Sequence, residues 1–382
     1  MHILILGGDG YLGWPTSMAF VAAGHDVLSV DNYTRRRIAA ETDSYPLFEN
    51  PDLETRAQIF NSASNWKLQC RIGDCSDYSF VSEIVRDFKP DAIVHYAEQP
   101  SAPYSMLSVD AARFTLNNNL NTTLNILMAM KDIVPNAHLI KLGTMGEYGT
   151  PNIDIEEGWL EVEHNGRRHK FLYPRQAGSL YHTTKVLDTD LIWFYVRMFG
   201  LRVTDLMQGP VYGISTPESE VDRKLRTSFH YDDIFGTVIN RFVVQAVAGV
   251  PLTVYGKGGQ VRGYLNLLDT LQCIDLAARN PAEEGELRVF NQLTETFSVN
   301  DLADRVQKVG RALGFPVEVK SIPNPRKEME EHYYNPKYTG LLQLGLAPHL
   351  LTDEALAAII TEVARCKDGI DISRILPRVR WN

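Results

Sequence analysis

Gly7-Gly8-Asp9-Gly10-Tyr11-Leu12-Gly13 follows an apolar run, His2–Leu6, and opens an amphipathic stretch, Gly13–Ala23. Glycines at 7, 10 and 13 between a strand and a helix let the backbone turn tightly. A pyrophosphate then lies against bare peptide groups and faces the helix N-terminus. A glycine-rich turn alone is weak evidence, but Asp31 ends the second strand and falls near the roughly 20-residue spacing expected of a ribose-binding acid. Such a carboxylate accepts from ribose hydroxyls and repels a 2′-phosphate, so it favours NAD over NADP. The run Arg35-Arg36-Arg37 is the counter-argument and reads as a solvated charge run. Asp74, after the third strand, is placed to touch the adenine or to cap a helix.

The turn belongs to a longer rhythm. Candidate strands at His2–Leu6, Asp26–Val30, Leu68–Ile72, Ala92–Tyr96, His138–Leu142 and Arg202–Met207 alternate with helical stretches such as Phe80–Phe88, Ala111–Ile133 and Tyr181–Phe199. That alternation predicts an α/β fold: a doubly wound, mostly parallel Rossmann-type sheet with helices on both faces. Ala39–Trp66 breaks the rhythm and reads as an insertion with a short helix. The pattern changes after Gly209. Polar Ser215–Asp233 reads as a loop or mobile lid, and Thr237–Ala248, Leu252–Tyr255, Gly263–Asn266, Leu268–Ala278, Val299–Leu313 and Asp353–Cys366 read as elements of a smaller α/β domain. The expected division is an NAD-binding domain at 1–210, with part of 237–275 returning to it, and a substrate-binding domain at 211–382.

Composition narrows the function classes. The 382 residues carry 38 Lys+Arg against 47 Asp+Glu, a net charge of -9, which offers no general attraction to nucleic acid or anionic membrane. No apolar run approaches the roughly 20 residues needed to span a bilayer. Cys70, Cys75, Cys273 and Cys366 form no CxxC pair, so neither a disulfide framework nor a metal site is expected, and a reducing cytoplasm fits. The chain begins directly on Ile3-Leu4-Ile5-Leu6 with no charged leader, which agrees with that expectation.

A second constellation carries the chemistry. Tyr181-His182-Thr183-Thr184-Lys185 puts a phenol and an ammonium at i and i+4, on one helix face. A nearby ammonium favours phenolate and makes the tyrosine a base near neutral pH. Thr144 follows a sheet strand, where its hydroxyl could bind the same substrate oxygen. With these residues the chain resembles the extended, nucleotide-sugar-modifying branch of the short-chain dehydrogenase/reductase superfamily. Four longer stretches bring the resemblance closer: Gly143–Gly158 (GTMGEYGTPNIDIEEG), Ser101–Met106 (SAPYSM), Leu252–Gly259 (LTVYGKGG) and Glu331–Asn335 (EHYYN) look like the UDP-sulfoquinovose synthase family. The resemblance runs from Ile3 to about Trp381.

This resemblance implies NAD as cofactor, UDP-glucose or a related NDP-hexose as substrate, sulfite as second substrate, and a transient 4-keto hexose. It implies Tyr181 as base at the C4 hydroxyl, with Lys185 holding it ionised and Thr144 bonding the same oxygen. Glu147 and His182 are the candidates for C5 deprotonation and for protonating the leaving C6 hydroxyl. A cap for the following helix and a packed core histidine are their duller readings. The cofactor set is Gly7, Gly8, Asp9, Gly10, Tyr11, Leu12, Gly13, Asp31, Asn32, Arg35, Asp74, Cys75, Tyr96, Ala97, Glu98, Asn118, Leu142, Tyr181, Lys185, Gln208 and Val211; Asn118 could equally cap a helix. For the sugar nucleotide it is Thr144, Met145, Gly146, Tyr181 and Gln208, with the backbone of Thr253, Val254 and Tyr255 toward the uracil. Arg262 and Arg326 face the diphosphate, or else form surface ion pairs.

One position departs from the family pattern. Where the family reads Glu-Gln-Arg-Ser, this chain has Glu98-Gln99-Pro100-Ser101, and proline has neither charge nor backbone donor. Either Arg113 or His182 compensates at the sulfite step, or the chain is an NAD-dependent NDP-sugar 4-epimerase on the same scaffold. Apolar residues on more than one face of Ala111–Ile133 and Tyr181–Phe199 predict a helical homodimer interface.

Overall fold

The computed structural model describes residues 1–63, 65–329 and 331–379, so the end of the family resemblance at Trp381 lies outside the described residues. The first part of the chain runs β1 (His2–Leu6), α1 (Gly13–Ala22), β2 (Asp26–Asp31), α2 (Thr34–Glu41), α3 (Leu53–Ser62), β3 (Gln69–Ile72), α4 (Tyr78–Phe88), β4 (Ala92–His95), α5 (Ala102–Ser105), α6 (Val109–Ile133) and β5 (His138–Thr144). A hairpin, β6 (Trp159–His164) and β7 (Arg167–Leu172), precedes α7 (Leu180–Phe199) and β8 (Arg202–Gln208). Then follow β9 (Val211–Tyr212), α8 (Val238–Ala248), β10 (Leu252–Tyr255), β11 (Val261–Asn266), α9 (Leu267–Arg279), β12 (Leu287–Gln292), β13 (Glu295–Ser298), α10 (Val299–Ala312), β14 (Val319–Ile322), α11 (Gly340–Gln343) and α12 (Asp353–Ala364).

Seven strands form one parallel sheet in the order β12-β8-β5-β4-β1-β2-β3. The expected doubly wound sheet is present, with one strand more than the sequence pattern indicated. The apolar runs of β1, β4, β5 and β8 are almost fully buried, as the middle of a sheet covered on both faces requires. Strand order reverses at β1, which pairs with β2 on one side and β4 on the other. The crevice at such a switch point is where ligands of open α/β sheets bind. Register lines up the carboxyl ends beside it, with Thr144 opposite Gln208 and Gln208 opposite Gln292.

The smaller lobe packs α8, α10 and α12 around their own apolar core, which includes Phe242, Val306 and Ile360. Two small sheets, β10-β14 and β13-β11-β9, lie with it. Past α8, which stays in the smaller lobe, α9 packs on α1 and β12 joins the large sheet. Ser215–Asp233 is no lid. Leu225, Phe229 and Tyr231 are buried within it, Trp14 Nε1 donates to the Leu225 carbonyl (2.7 Å), and Leu47 N donates to that of Phe229 (2.8 Å). Polar composition hid these three buried anchors. In the 39–66 insertion, α3 supplies Leu53, Ala57 and Phe60 to the core under β1, and Phe48 joins the core of the smaller lobe.

Candidate active site

One cavity of about 550 Å³ lies along the carboxyl ends of the strands, between the sheet and the smaller lobe. At one end is the glycine turn. Gly7 has φ +90°, and a Cβ there would stand 2.7 Å from the carbonyl carbon of Tyr96, on the far side of the switch point. A Cβ on Gly13 would meet the Gly7 oxygen at 2.0 Å. Both glycines are therefore required by close backbone approach. No side chain caps α1 and no acid sits in its first turn, so its amide groups face the cavity without an internal anion.

Gly7, Gly10, Tyr11, Leu12, Gly13, Asp31, Asn32, Arg35, Asp74, Cys75, Tyr96, Ala97, Glu98, Asn118, Leu142, Gln208 and Val211 all line this cavity, as the sequence predicts. Gly8 and Asp9 do not. Asp9 is turned inward onto two arginines, Arg36 (2.6 Å) and the fully buried Arg56 (2.7 Å). This also corrects the reading of Arg35–Arg37 as a solvated run: Arg36 locks Asp9, Arg37 bonds Thr34 Oγ1, and Arg35 faces the cavity over the Phe235 ring. The adenine-side alternatives resolve too. Asp77, not Asp74, caps α4, and Asn118 sits in the middle of α6, which Ser108 caps. Asp31 accepts from the backbone N–H groups of Asp9 (2.9 Å) and Tyr33 (2.7 Å); burial, then the neighbouring Asp9 carboxylate, push it up to about 6.

Thr144, Met145, Gly146, Tyr181 and His182 meet at the middle of the cavity. Ser179 caps α7 by accepting from His182 N (3.2 Å) and lies 3.0 Å from His182 Nδ1. Nε2 lies beside Gly146. Burial, with Arg326 and Arg262 nearby, pulls His182 down to about 3, so the ring is neutral and carries one donor and one acceptor nitrogen.

Two expectations fail here. Glu147 does not line the cavity: it is fully buried and closes a capping box with Thr144, accepting from Thr144 N (3.2 Å). Its carboxylate also lies near Lys141 (3.7 Å) and Arg175 (3.6 Å) and accepts from Thr189 Oγ1 (3.4 Å). The duller reading of Glu147 is the structural one. Lys185 is the second. Its ammonium is held between the Leu142 carbonyl (2.6 Å) and Glu98 Oε2 (2.6 Å), 6.0 Å from the Tyr181 ring centroid. Burial, then Glu98, Glu147 and Asp188 against the opposing Lys141, push the Tyr181 phenol up instead of down.

At the far end, Arg262 and Arg326 reach the cavity, with Arg262 paired to Glu328 (3.0 Å) and next to His332. Sequence reasoning missed Arg241, whose guanidinium stands 4.0 Å over the Tyr255 ring. Its signal was a buried arginine in a mostly apolar helix that otherwise carries only Asn240 and Gln245 as polar residues. Tyr255 lines the cavity, whereas Thr253 and Val254 do not; Thr253 is tied to Gln245 and Arg241 through its N–H, hydroxyl and carbonyl. Pro100 lies on the cavity wall, while Arg113 is exposed on α6 and does not line the cavity.

A dinucleotide cradle joined to a Tyr–Thr site under a lobe of arginines defines a nucleotide-sugar enzyme of the NAD-dependent epimerase/dehydratase class, and residues 3–291 match the NAD dependent epimerase/dehydratase family. The chain is 48% identical over 380 residues to the chloroplastic UDP-sulfoquinovose synthase of Spinacia oleracea, covering 100% of this chain and 79% of that one. It is 44% identical over 384 residues to the UDP-sulfoquinovose synthase of Sulfolobus acidocaldarius, covering 100% and 98%. The chain belongs to the UDP-sulfoquinovose synthase family. Its fold is shared with the UDP-glucuronic acid 4-epimerase of Bacillus cereus, solved with UDP-glucuronic acid and NAD: TM-score 0.70 at 19% identity, over 95% of this chain and 100% of that one.

Proposed function

We propose that this enzyme joins UDP-glucose and sulfite, with one proton, to give UDP-sulfoquinovose and water. The observation that carries this reading is whole-chain identity of 44–48% to two UDP-sulfoquinovose synthases. NAD in the glycine cradle supplies hydride acceptance at sugar C4 and its later return. Gly7, Gly10 and Gly13 leave room for its pyrophosphate at the α1 N-terminus, and Asp31 meets the adenosine ribose.

The chain's own residues divide the remaining work. Tyr181 is the acid–base group at the C4 hydroxyl. Burial favours its neutral phenol, so it must be ionised in the loaded site before it takes that proton and gives it back. The Thr144 hydroxyl bonds the same oxygen. A C4 ketone acidifies C5–H, and the C5 proton and the C6 hydroxyl leave together as water, with the neutral His182 ring hydrogen-bonding the departing oxygen. Sulfite adds to the resulting C5–C6 alkene through sulfur, and C5 recovers a proton. Arg241, Arg262 and Arg326 pair with the diphosphate, and Tyr255 covers the base. A homodimer through α6 and α7, supported by exposed Leu187, Phe194, Met198 and Phe199, belongs to the same reading, as does a cytoplasmic location. No described helix is long and apolar enough to cross a membrane.

Mass spectrometry and NMR of the products from UDP-glucose, with and without sulfite, test the proposal. A sulfite-dependent sulfonate at C6 is expected. UDP-galactose without sulfonate would replace this reading with 4-epimerisation and make Pro100, on the cavity wall, the first residue to examine.

A further inference from the structure

The turn after β4 carries a carboxylate whose partner is the active-site lysine. Glu98 Oε2 lies 2.6 Å from Lys185 Nζ, and both side chains are almost completely buried. The same ammonium donates to the last carbonyl before Gly143 on β5, that of Leu142, at 2.6 Å. The turn itself is pinned. Asn119 on α6 accepts from Gln99 N (2.8 Å) and donates to the Gln99 carbonyl (3.2 Å) and to Thr184 Oγ1 on α7 (3.0 Å). Glu98 is thus fixed relative to the helix that carries Tyr181 and Lys185.

We infer that Glu98 is a positioning residue: it fixes the Lys185 ammonium at the end of β5 and, by neutralising it, sets how readily Tyr181 ionises. The inference rests on the reading of Tyr181 as the base. Tyr181 is faced by Glu98 from the β4 turn, Lys141 from β5, Glu147 from the turn after β5, and Lys185 and Asp188 from its own helix, with neutral His182 beside it. Glu98 in turn faces His95, Lys185 and Lys141. A buried ammonium favours phenolate only as far as no carboxylate cancels it. Removing the Glu98 charge leaves Lys185 uncompensated and brings the phenol down.

Ultraviolet difference titration of the NAD-loaded protein, each variant measured against its Tyr181→Phe counterpart, isolates the Tyr181 phenolate. Glu98→Gln is expected to lower the midpoint by about one pH unit, or tenfold more phenolate at a given pH, while Glu98→Asp, which keeps the charge, stays near the native midpoint. An unchanged or higher midpoint in folded Glu98→Gln overturns the inference. Should Glu98→Gln not fold, Lys185→Met and the double variant Glu98→Gln/Lys185→Met answer the question. The single variant is expected to raise the midpoint and the double to restore it; equal midpoints overturn the inference. These titrations use no substrate, so a missing sulfonate product would refute the proposed function and leave this result standing. Full turnover in Tyr181→Phe would remove the base assignment on which the inference rests.

Discussion

The two sides of α7 differ more than their shared sequence suggests. On the cavity side, Tyr181 and His182 stand over Thr144 with open space before them. On the sheet side, Asp188 and Thr189 are buried with Lys141, Glu147 and Asp205, and Thr189 Oγ1 donates to Asp205 Oδ2 at 2.8 Å. Lys185 lies between the two, its backbone near Lys141 and its ammonium on Glu98. One side presents reacting groups; the other is a buried charged network in which Lys141 lies 3.7 Å from both Glu147 and Asp205. Thr144 and Glu147 are three residues apart and fall on opposite sides of this divide. Adjacency along the chain does not place two groups in one site.

Substitutions on the two sides should therefore separate chemistry from stability. The largest effect is expected from Tyr181→Phe. Losing the acid–base group should cut turnover by about 10²–10⁴-fold, with the unfolding midpoint within a degree or two of native and NAD still bound. A large fall in stability would contradict the division. Glu147→Gln should do the reverse. Removing one member of the buried network is expected to cost roughly 3 kcal/mol in denaturant unfolding, while the folded enzyme keeps its elimination step. Loss of elimination with stability intact would return Glu147 to the chemistry.

Arg241→Ala sharpens the comparison from the other lobe. A charge-assisted contact to phosphate is worth about 1.5–3 kcal/mol, so calorimetry should show UDP binding weakened by tens of fold and NAD binding unmoved. The smallest effect concerns Asp31. With its carboxyl raised to about 6, the ionised form that accepts from ribose is lost as pH falls through that value. NAD affinity should drop up to about tenfold between pH 7 and pH 5, and Asp31→Asn should flatten that dependence.

What the sequence made legible follows the same line. The glycine turn, Asp31 and the six leading strands were readable because each is a local pattern: a turn that only glycine permits, an acid at a strand end, a period of β and α. Tyr181 and Lys185 were readable as an i, i+4 pair, yet the pairing of Lys185 with Glu98, from a turn some ninety residues earlier, was not, and with it the direction of the Tyr181 shift. Ion pairs between distant segments leave no spacing to read. Arg241 sat inside a mostly apolar helix without a motif, β12 was a short run lost among loops, and the polar surface of Ser215–Asp233 concealed its buried anchors. The family resemblance carried the fold and the cofactor well. It carried Glu147 to a role the buried network denies.

In the proposed reaction one hydride leaves C4 and comes back to it within a single cavity. The most direct test is turnover of UDP-glucose deuterated at C4, with sulfite, followed by NMR of the product. The account predicts UDP-sulfoquinovose with deuterium retained at C4 and no net NADH released. Protium at C4, or NADH accumulating in proportion to product, would show that the hydride does not return and would contradict it.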